Sequence, residues 1–366
     1  MITGADEYPF HQTPEPMAYA GTDRNFYDRY FFNGYSPDGK IFFAIAFGVY
    51  PNLDIMDGAV SILAEGKQHN FRASKRMKGE RSVLQVGPLS IHIHEPLVQS
   101  RIVLAANDSD IALDVTMTAR HGPVEEPRFT RRIGTRSLMD YTRMTQNVEW
   151  NGSLTVGSGV IDLQGKKIRG TRDRSWGIRP VGLPDPQPPT EGGLSQFFWL
   201  WNPCNFDGYV AFSHTNDDEF GRPWNRLGAL QAVGGELIKF EDVHYEYEWE
   251  AVNSRRLSLL RAICASDQGE AVLTFEPVRT FFMPGLGYMH AEWGHGMDHG
   301  EYACAHDVLD VQQCLMDPRF LHIQAISKVT LEFLGQTHEG TGVVEQMFIG
   351  AHEPTGMGQG LDVDRG

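Results

Sequence analysis

Gly170-Thr171-Arg172-Asp173-Arg174-Ser175-Trp176-Gly177 decides how the rest of the chain is read. As an extended strand the octet alternates, with Thr171, Asp173 and Ser175 on one face and Arg172, Arg174 and Trp176 on the other. One face carries an acid between two hydroxyls, and the other two cations beside an indole. A charge inside a strand must be paired or its pKa perturbed. Two readings follow: an Arg–Asp network closing a barrel end, or Asp173 working in a cavity.

The flanking sequence is strand-like in both directions. Phe26–Gly34 and Lys40–Tyr50 are aromatic and apolar runs joined by Ser36-Pro37-Asp38-Gly39, a hairpin with its mechanism in the turn residues. Further strands are predicted at Gly58–Glu65, Leu84–Val86, Leu89–His94, Arg101–Ala106 and Ile111–Thr118. Asn151-Gly152 predicts a two-residue hairpin between Thr142–Trp150 and Ser153–Val156. After the octet, Gly182–Gly193 is rich in proline and glycine and reads as a linker. Strands resume at Phe197–Trp201, Gly208–Ser213, Leu257–Cys264, Ala271–Phe275, Ala325–Leu334 and Gly342–Ile349, and Val243–Glu250 alternates without a break. Only Ala119–Met139 and Val308–Asp317 leave room for helix. The chain is expected to be all-β, a sandwich or barrel type, with domains at 1–180 and 181–366. Residues 1–25 read as a strap over the first domain.

Composition fits this. The 366 residues include 39 glycines and 20 prolines for turns, and 21 phenylalanines, 12 tyrosines and 7 tryptophans for strand interiors. A formal net charge of −15 argues against nucleic acid and anionic lipid as partners. No apolar run is long enough for a transmembrane helix, and no basic-then-apolar leader opens the chain. Cys204, Cys264, Cys304 and Cys314 stand singly, as reduced thiols of a cytoplasmic protein would. There is no GxSxG elbow, P-loop or strand-to-helix GxGxxG, so nucleotide and serine-hydrolase chemistry has no local support.

Asp140, in Asp140-Tyr141-Thr142-Arg143, is the second carboxylate in an arginine- and aromatic-rich setting. If it shares a cavity with Asp173, one acid could stay protonated and the other ionised. Arg143, Arg172 or Arg174 could instead pair both as scaffold. His290-Ala291-Glu292-Trp293-Gly294-His295-Gly296-Met297-Asp298-His299 fits neither HExxH nor a two-His-one-carboxylate triad. It reads better as a loop at a pocket mouth, with His295 and His299 touching substrate; a metal centre on His290, His295 and His299 is a weaker alternative. His92 and His94 share a strand face and read as solvated. Tyr141, Trp199 and Trp201 are candidates for the wall of an apolar ligand cavity.

The octet, the aromatic run Phe197–Asn202, the Phe206-Asp207-Gly208 turn and the Tyr27–Phe43 hairpin resemble the AttH and carotenoid 1,2-hydratase superfamily. Asp140–Gln146 and the octet are similar to its bacterial branch labelled hydroxyneurosporene-synthase-like. The resemblance implies two tandem lipocalin-like (calycin-type) β-barrel domains and cofactor-free chemistry on a hydrophobic small molecule. It implies that Asp173 protonates an alkene and that Trp176 stabilises the resulting positive charge. Arg172 and Arg174, further candidates for binding substrate, should point away from Asp173, which leaves its carboxyl free to stay protonated. Alternation puts Trp176 opposite Asp173, so both roles require a bend in the strand. Hydratase relatives more often carry a glutamate before the tryptophan; here Arg174 and Ser175 stand there, and Asp140 would have to serve.

The expected function is a cofactor-independent lyase or isomerase (hydratase, dehydratase or cyclase) acting on an apolar, isoprenoid, polyene or steroid-like molecule, without a metal. The alternative is a non-catalytic carrier of hydrophobic metabolites. A homodimer is compatible with either.

Overall fold

The computed structural model describes residues 1–187, 195–317 and 320–365, so the expected linker lies outside the described residues from residue 188 onward. The protein is almost entirely antiparallel sheet, in two curled, barrel-like layers. The first follows the order Tyr302–Asp310, Lys67–Arg76, Ile55–Ala64, Phe42–Tyr50, Phe26–Tyr35, Ile168–Ile178, Arg136–Val156, Ile111–Ala119, Gln99–Leu104, Leu89–Glu95 and Gln85–Val86. The second follows Leu237–Phe240, Pro223–Ala232, Tyr209–Asp217, Phe197–Phe206, Gln336–Ile349, Ile323–Phe333, Gly269–Phe282, Leu257–Ser266 and Asp242–Trp249. No described helix is long and apolar enough to cross a membrane.

Each sheet curls around a core of its own, and a third apolar cluster fills the space between them. Phe42–Tyr50 shows the consequence. Phe43, Ile45, Phe47 and Val49 face the first sheet's own core, while Phe42, Ala44, Ala46 and Tyr50 face the second sheet. A strand covered on both faces has no polar side, and its sequence reads as a continuous apolar run. At Asp242–Trp249 the outer face is free and the alternation is clean.

The octet lies in Ile168–Ile178, in the middle of the first sheet. Asp173 sits opposite Phe31 on one side and Thr145 on the other. The strand alternates as its sequence predicts, with no register shift through the octet. The Ser36–Gly39 turn closes the opening hairpin, the Gly39 N–H donating to the Ser36 carbonyl at 2.9 Å. The N-terminal residues lie over Gly79–Ser82 and Asn52 as a strap.

Two expectations are corrected. Asn151-Gly152 makes no hairpin, because Arg136–Val156 runs through it as one strand. Gly152 is needed instead at φ +120°, where a Cβ would stand 2.1 Å from the Asp114 carbonyl of the neighbouring strand. Ala119–Met139 holds the short strands Val124–Glu125 and Phe129–Ile133 rather than a helix, both paired to Arg136–Val156. Val308–Asp317, which left room for a helix, does carry a short one, Val311–Leu315, after the strand Tyr302–Asp310.

That strand also crosses the expected 180/181 boundary. It leaves the second half of the chain and pairs with Lys67–Arg76 of the first sheet, from Tyr302 opposite Lys75 to Asp310 opposite Lys67. Asp307 fixes it there, with Arg72 at 2.8 Å and Asn70 at 2.6 Å.

Gly170 sets the spacing of the central strands. A Cβ there would lie 1.9 Å from the Asn33 carbonyl oxygen, which already accepts the Trp150 indole N–H at 2.9 Å. Gly170→Ala is therefore expected to cost about 1–3 kcal/mol or more by overpacking against backbone. It should lower the urea midpoint with little change in slope. An unshifted midpoint would show that the strands can move apart there.

Candidate active site between the two sheets

A cavity of about 410 Å³ opens between the sheets rather than inside either curl. The first sheet contributes Arg29, Met139, Tyr141, Arg143, Asp173 and Ser175, with Arg179 to Gly182 just beyond it. The second contributes Phe197, Trp199, Glu345 and Met347, with His322 just before the strand Ile323–Phe333, and the loop after Met283–Leu286 adds Tyr288, Met289 and His295. Two-residue periodicity selects these positions. Met139, Tyr141 and Arg143 are alternate residues of one strand, and Asp173 and Ser175 of the next.

Asp173 is 7% exposed, and its Oδ2 accepts from Arg143 Nη2 at 2.9 Å. Arg143 also lies 3.5 Å from Glu126, and its guanidinium sits 5.0 Å and 4.7 Å from the ring centroids of Trp199 and Trp201. Burial pushes the Asp173 carboxyl above the usual aspartate range; Arg143 opposes this, and the charges of Glu126 and Glu345 add to it. Glu345 moves the other way. Burial alone would raise it, but the hydrogen bond and charge of His322, with Arg143 and Gln324, hold it below the usual glutamate range. Its Oε1 accepts from the Trp199 indole and meets His322 Nε2, each at 2.9 Å, while Oε2 accepts from Gln324 at 2.6 Å. The cavity thus holds two carboxylates whose pKa values are driven apart.

His295 Nδ1 meets Arg179 Nη2 at 3.0 Å, and Nε2 meets the Leu286 carbonyl at 3.1 Å. Arginine can only donate and a carbonyl only accept, so the ring is neutral with its proton on Nε2. Burial, then Arg29 and Arg179, push its pKa well below the ordinary imidazole value, in agreement with that geometry.

Of the residues singled out in the sequence, Asp173, Tyr141, Trp199 and His295 line the cavity. Trp201 lies behind the wall, its indole N–H donating to Thr145 at 3.2 Å. Asp140 does not join Asp173. It follows Met139 on the opposite strand face and pairs with Arg128 at 2.6 Å. Arg172, Arg174 and Trp176 also face away. Arg174 binds Asp28 at 2.7 Å and covers the Tyr30 ring, and Trp176 is 40% exposed. Arg172 is buried on that face, where burial and then Arg174 push its pKa down to about 10. No bend brings Trp176 round to Asp173. His299 stacks on Trp293 at 3.9 Å, outside the cavity, and His290 accepts from the N–H groups of Glu292 and Trp293. Among the described residues no group of three or more His, Cys, Asp or Glu is placed to hold a metal. His92 and His94 are exposed.

Sequence reading passed over Arg29, Arg179, Tyr288, His322 and Glu345. Two had a signal. Arg29 is a cation on the Tyr27–Phe31 face of an aromatic strand, and Glu345 an acid beside Val343-Val344 in an apolar one. Buried charges at such positions need partners or a task.

The neutrality of His295 can be read directly. Ring nitrogen shifts are expected to show the neutral Nε2–H tautomer from about pH 8 down to about pH 5.5, without the midpoint near 6.5 of a free imidazole. A midpoint there would mean that the Arg179 contact does not form.

No curated protein matches the sequence. Among solved structures, a Nitrosomonas europaea protein provisionally named AttH superposes with a TM-score of 0.57 at 15% identity, over 93% of this chain and 98% of its own. Kievitone hydratase from Nectria haematococca superposes with a TM-score of 0.52 at 13% identity, over 87% of this chain and 88% of its own. Identities this low speak for the fold, two lipocalin-like barrels of the AttH type. At the level of sequence, residues 2–358 match a family described as a family of unknown function (DUF8625), and the chain belongs to that family.

Proposed function

We propose that the protein is a cofactor-independent lyase or isomerase (a hydratase, dehydratase or cyclase) acting on a largely apolar small molecule held between the two sheets. The observation that supports this reading is the pair Asp173 and Glu345. Both line one cavity, with the first pushed up and the second held down. Environments that separate two carboxylates in this way divide acid from base.

In this reading Asp173 gives its proton to a double bond or leaving oxygen. The electron-rich faces of Trp199, Tyr141 and Tyr288 shield the positive charge that develops. Glu345, ionised and oriented by His322 and Gln324, removes a proton from water or from the substrate carbon. Arg143 holds the Asp173 carboxylate once the proton has left, and gives way as it returns. The kievitone hydratase likeness is compatible with such chemistry, although a shared fold alone does not assign it.

The test begins with the small molecule released on denaturing the purified protein, identified by mass spectrometry and returned to fresh enzyme in deuterated or ¹⁸O-labelled water. Hydration incorporates oxygen; isomerisation or cyclisation incorporates deuterium alone. Asp173→Asn and Glu345→Gln are each expected to lower turnover by about 10²-fold or more while ligand binding persists. Trp176→Phe, off the cavity, should match wild type. With Asp173 as the acid, kcat/KM should fall with rising pH through a midpoint above the ordinary aspartate value. Full turnover by Asp173→Asn would remove its role, and an unlabelled, unchanged ligand in every sample would favour a carrier.

A further inference from the structure

We infer that the molecule bound between the sheets is a monocarboxylate on an apolar body, its carboxylate seated between Arg29 and Arg179. This deepens the acid–base reading and rests on the same cavity, but its test needs no turnover.

Arg29 lies on the strand Phe26–Tyr35 and is 2% exposed. Its Nη1 donates to the Tyr50 hydroxyl at 3.0 Å, its Nε has no partner among the described residues, and its guanidinium carbon lies 4.8 Å from the Tyr288 ring centroid. The Arg179 guanidinium lies 4.7 Å from the Tyr27 ring and 6.0 Å from the same Tyr288 ring. Two cations therefore flank one tyrosine in the cavity wall.

Two other buried arginines have carboxylates, Arg143 with Asp173 and Arg72 with Asp307, and the buried Arg255 is met by four backbone carbonyls. Among the described residues the buried Arg29 and the half-buried Arg179 have none within 4.0 Å, while burying a guanidinium costs several kcal/mol unless it is paired. Asp57 offsets one charge at one remove, because Tyr50 donates to it at 3.2 Å. Arg179 has Tyr27, Tyr288 and the neutral His295 around it and shares the field of Asp57 with Arg29, so one Asp57 charge serves two guanidiniums. The cavity's own carboxylates are committed elsewhere, Asp173 to Arg143 and Glu345 to His322, Trp199 and Gln324.

One uncompensated cation calls for one negative charge, and a guanidinium matches a carboxylate as a planar fork. A dianion such as a phosphate would bring a charge with no counterpart. The rest of the wall includes Met139, Val181, Phe197, Met289 and Met347, which fits an apolar body.

The test uses dodecanoate, farnesoate and 1-pyrenebutyrate beside their methyl esters, titrated into the full-length protein by calorimetry. At least one acid is expected to bind about tenfold or more tightly than its ester, since the ester keeps the shape and loses the charge. In Arg179→Gln that preference should shrink to within about twofold while the ester's affinity is unchanged. Arg179→Lys, which keeps the charge, should retain part of the preference, and thermal melts show that each variant is folded. Asp173→Asn should keep it in full. If no acid outbinds its ester, or if the preference survives in Arg179→Gln, the proposal is overturned. If the preference holds but Asp173→Asn turns over normally, the acid–base reading falls and the carboxylate seat stands.

Discussion

The guanidinium of Arg143 is the charge on which the middle of this molecule depends. It lies between two apolar sheets, takes Asp173 at 2.9 Å, reaches towards Glu126 and faces two indoles. Removing one member of such a buried set leaves the others uncompensated at a cost of several kcal/mol, far more than an exposed pair is worth. The arrangement also explains how a carboxylate can sit in an apolar interface without being fixed in one ionisation state. Arg143 lowers the cost of the charged form, burial raises it, and the balance leaves Asp173 above its usual range.

The location of the cavity matters as much as its contents. In a single curled sheet the ligand space is inside the curl; here both curls are filled by their own apolar cores. The space lies where two finished surfaces meet, so its shape is set by how the sheets dock. Side chains from both halves are required: Asp173 from one sheet, and Glu345 with its supports His322 and Gln324 from the other. The acid and the base of the proposed reaction meet only when the halves are together.

Much of this was legible in the sequence, for local reasons. An acid within a strand between glycines, with alternation fixing its face, marked Asp173, and the Pro-Asp-Gly turn marked the opening hairpin. The AttH-type fold followed from the same motifs. What failed was whatever depends on long-range docking. Asp140 lies one residue from the inward-facing Tyr141, and strand parity put it outside; the pattern of its own segment was too weak to fix that parity. Asn151-Gly152 carries the strongest local turn signal, but the glycine serves a close approach from Asp114, more than thirty residues away in sequence. Glu345, His322 and Tyr288 reach the cavity from more than a hundred residues beyond Asp173, and no periodicity within a window can report that.

The strand Tyr302–Asp310 joins these observations. The chain leaves the second sheet at Phe282, forms the roof of the cavity through Tyr288 and His295, and knits nine residues to the edge of the first sheet. It then returns to the second sheet at Ile323. The roof is thus tethered at both ends, once to each layer, and works as a stitch rather than a hinged lid. Pulling the halves apart means unpicking the stitch, so separation of the layers and exposure of the reaction chamber become one event. During synthesis the same stitch comes late: the first sheet waits, one edge bare, until the thread that closes it has been made.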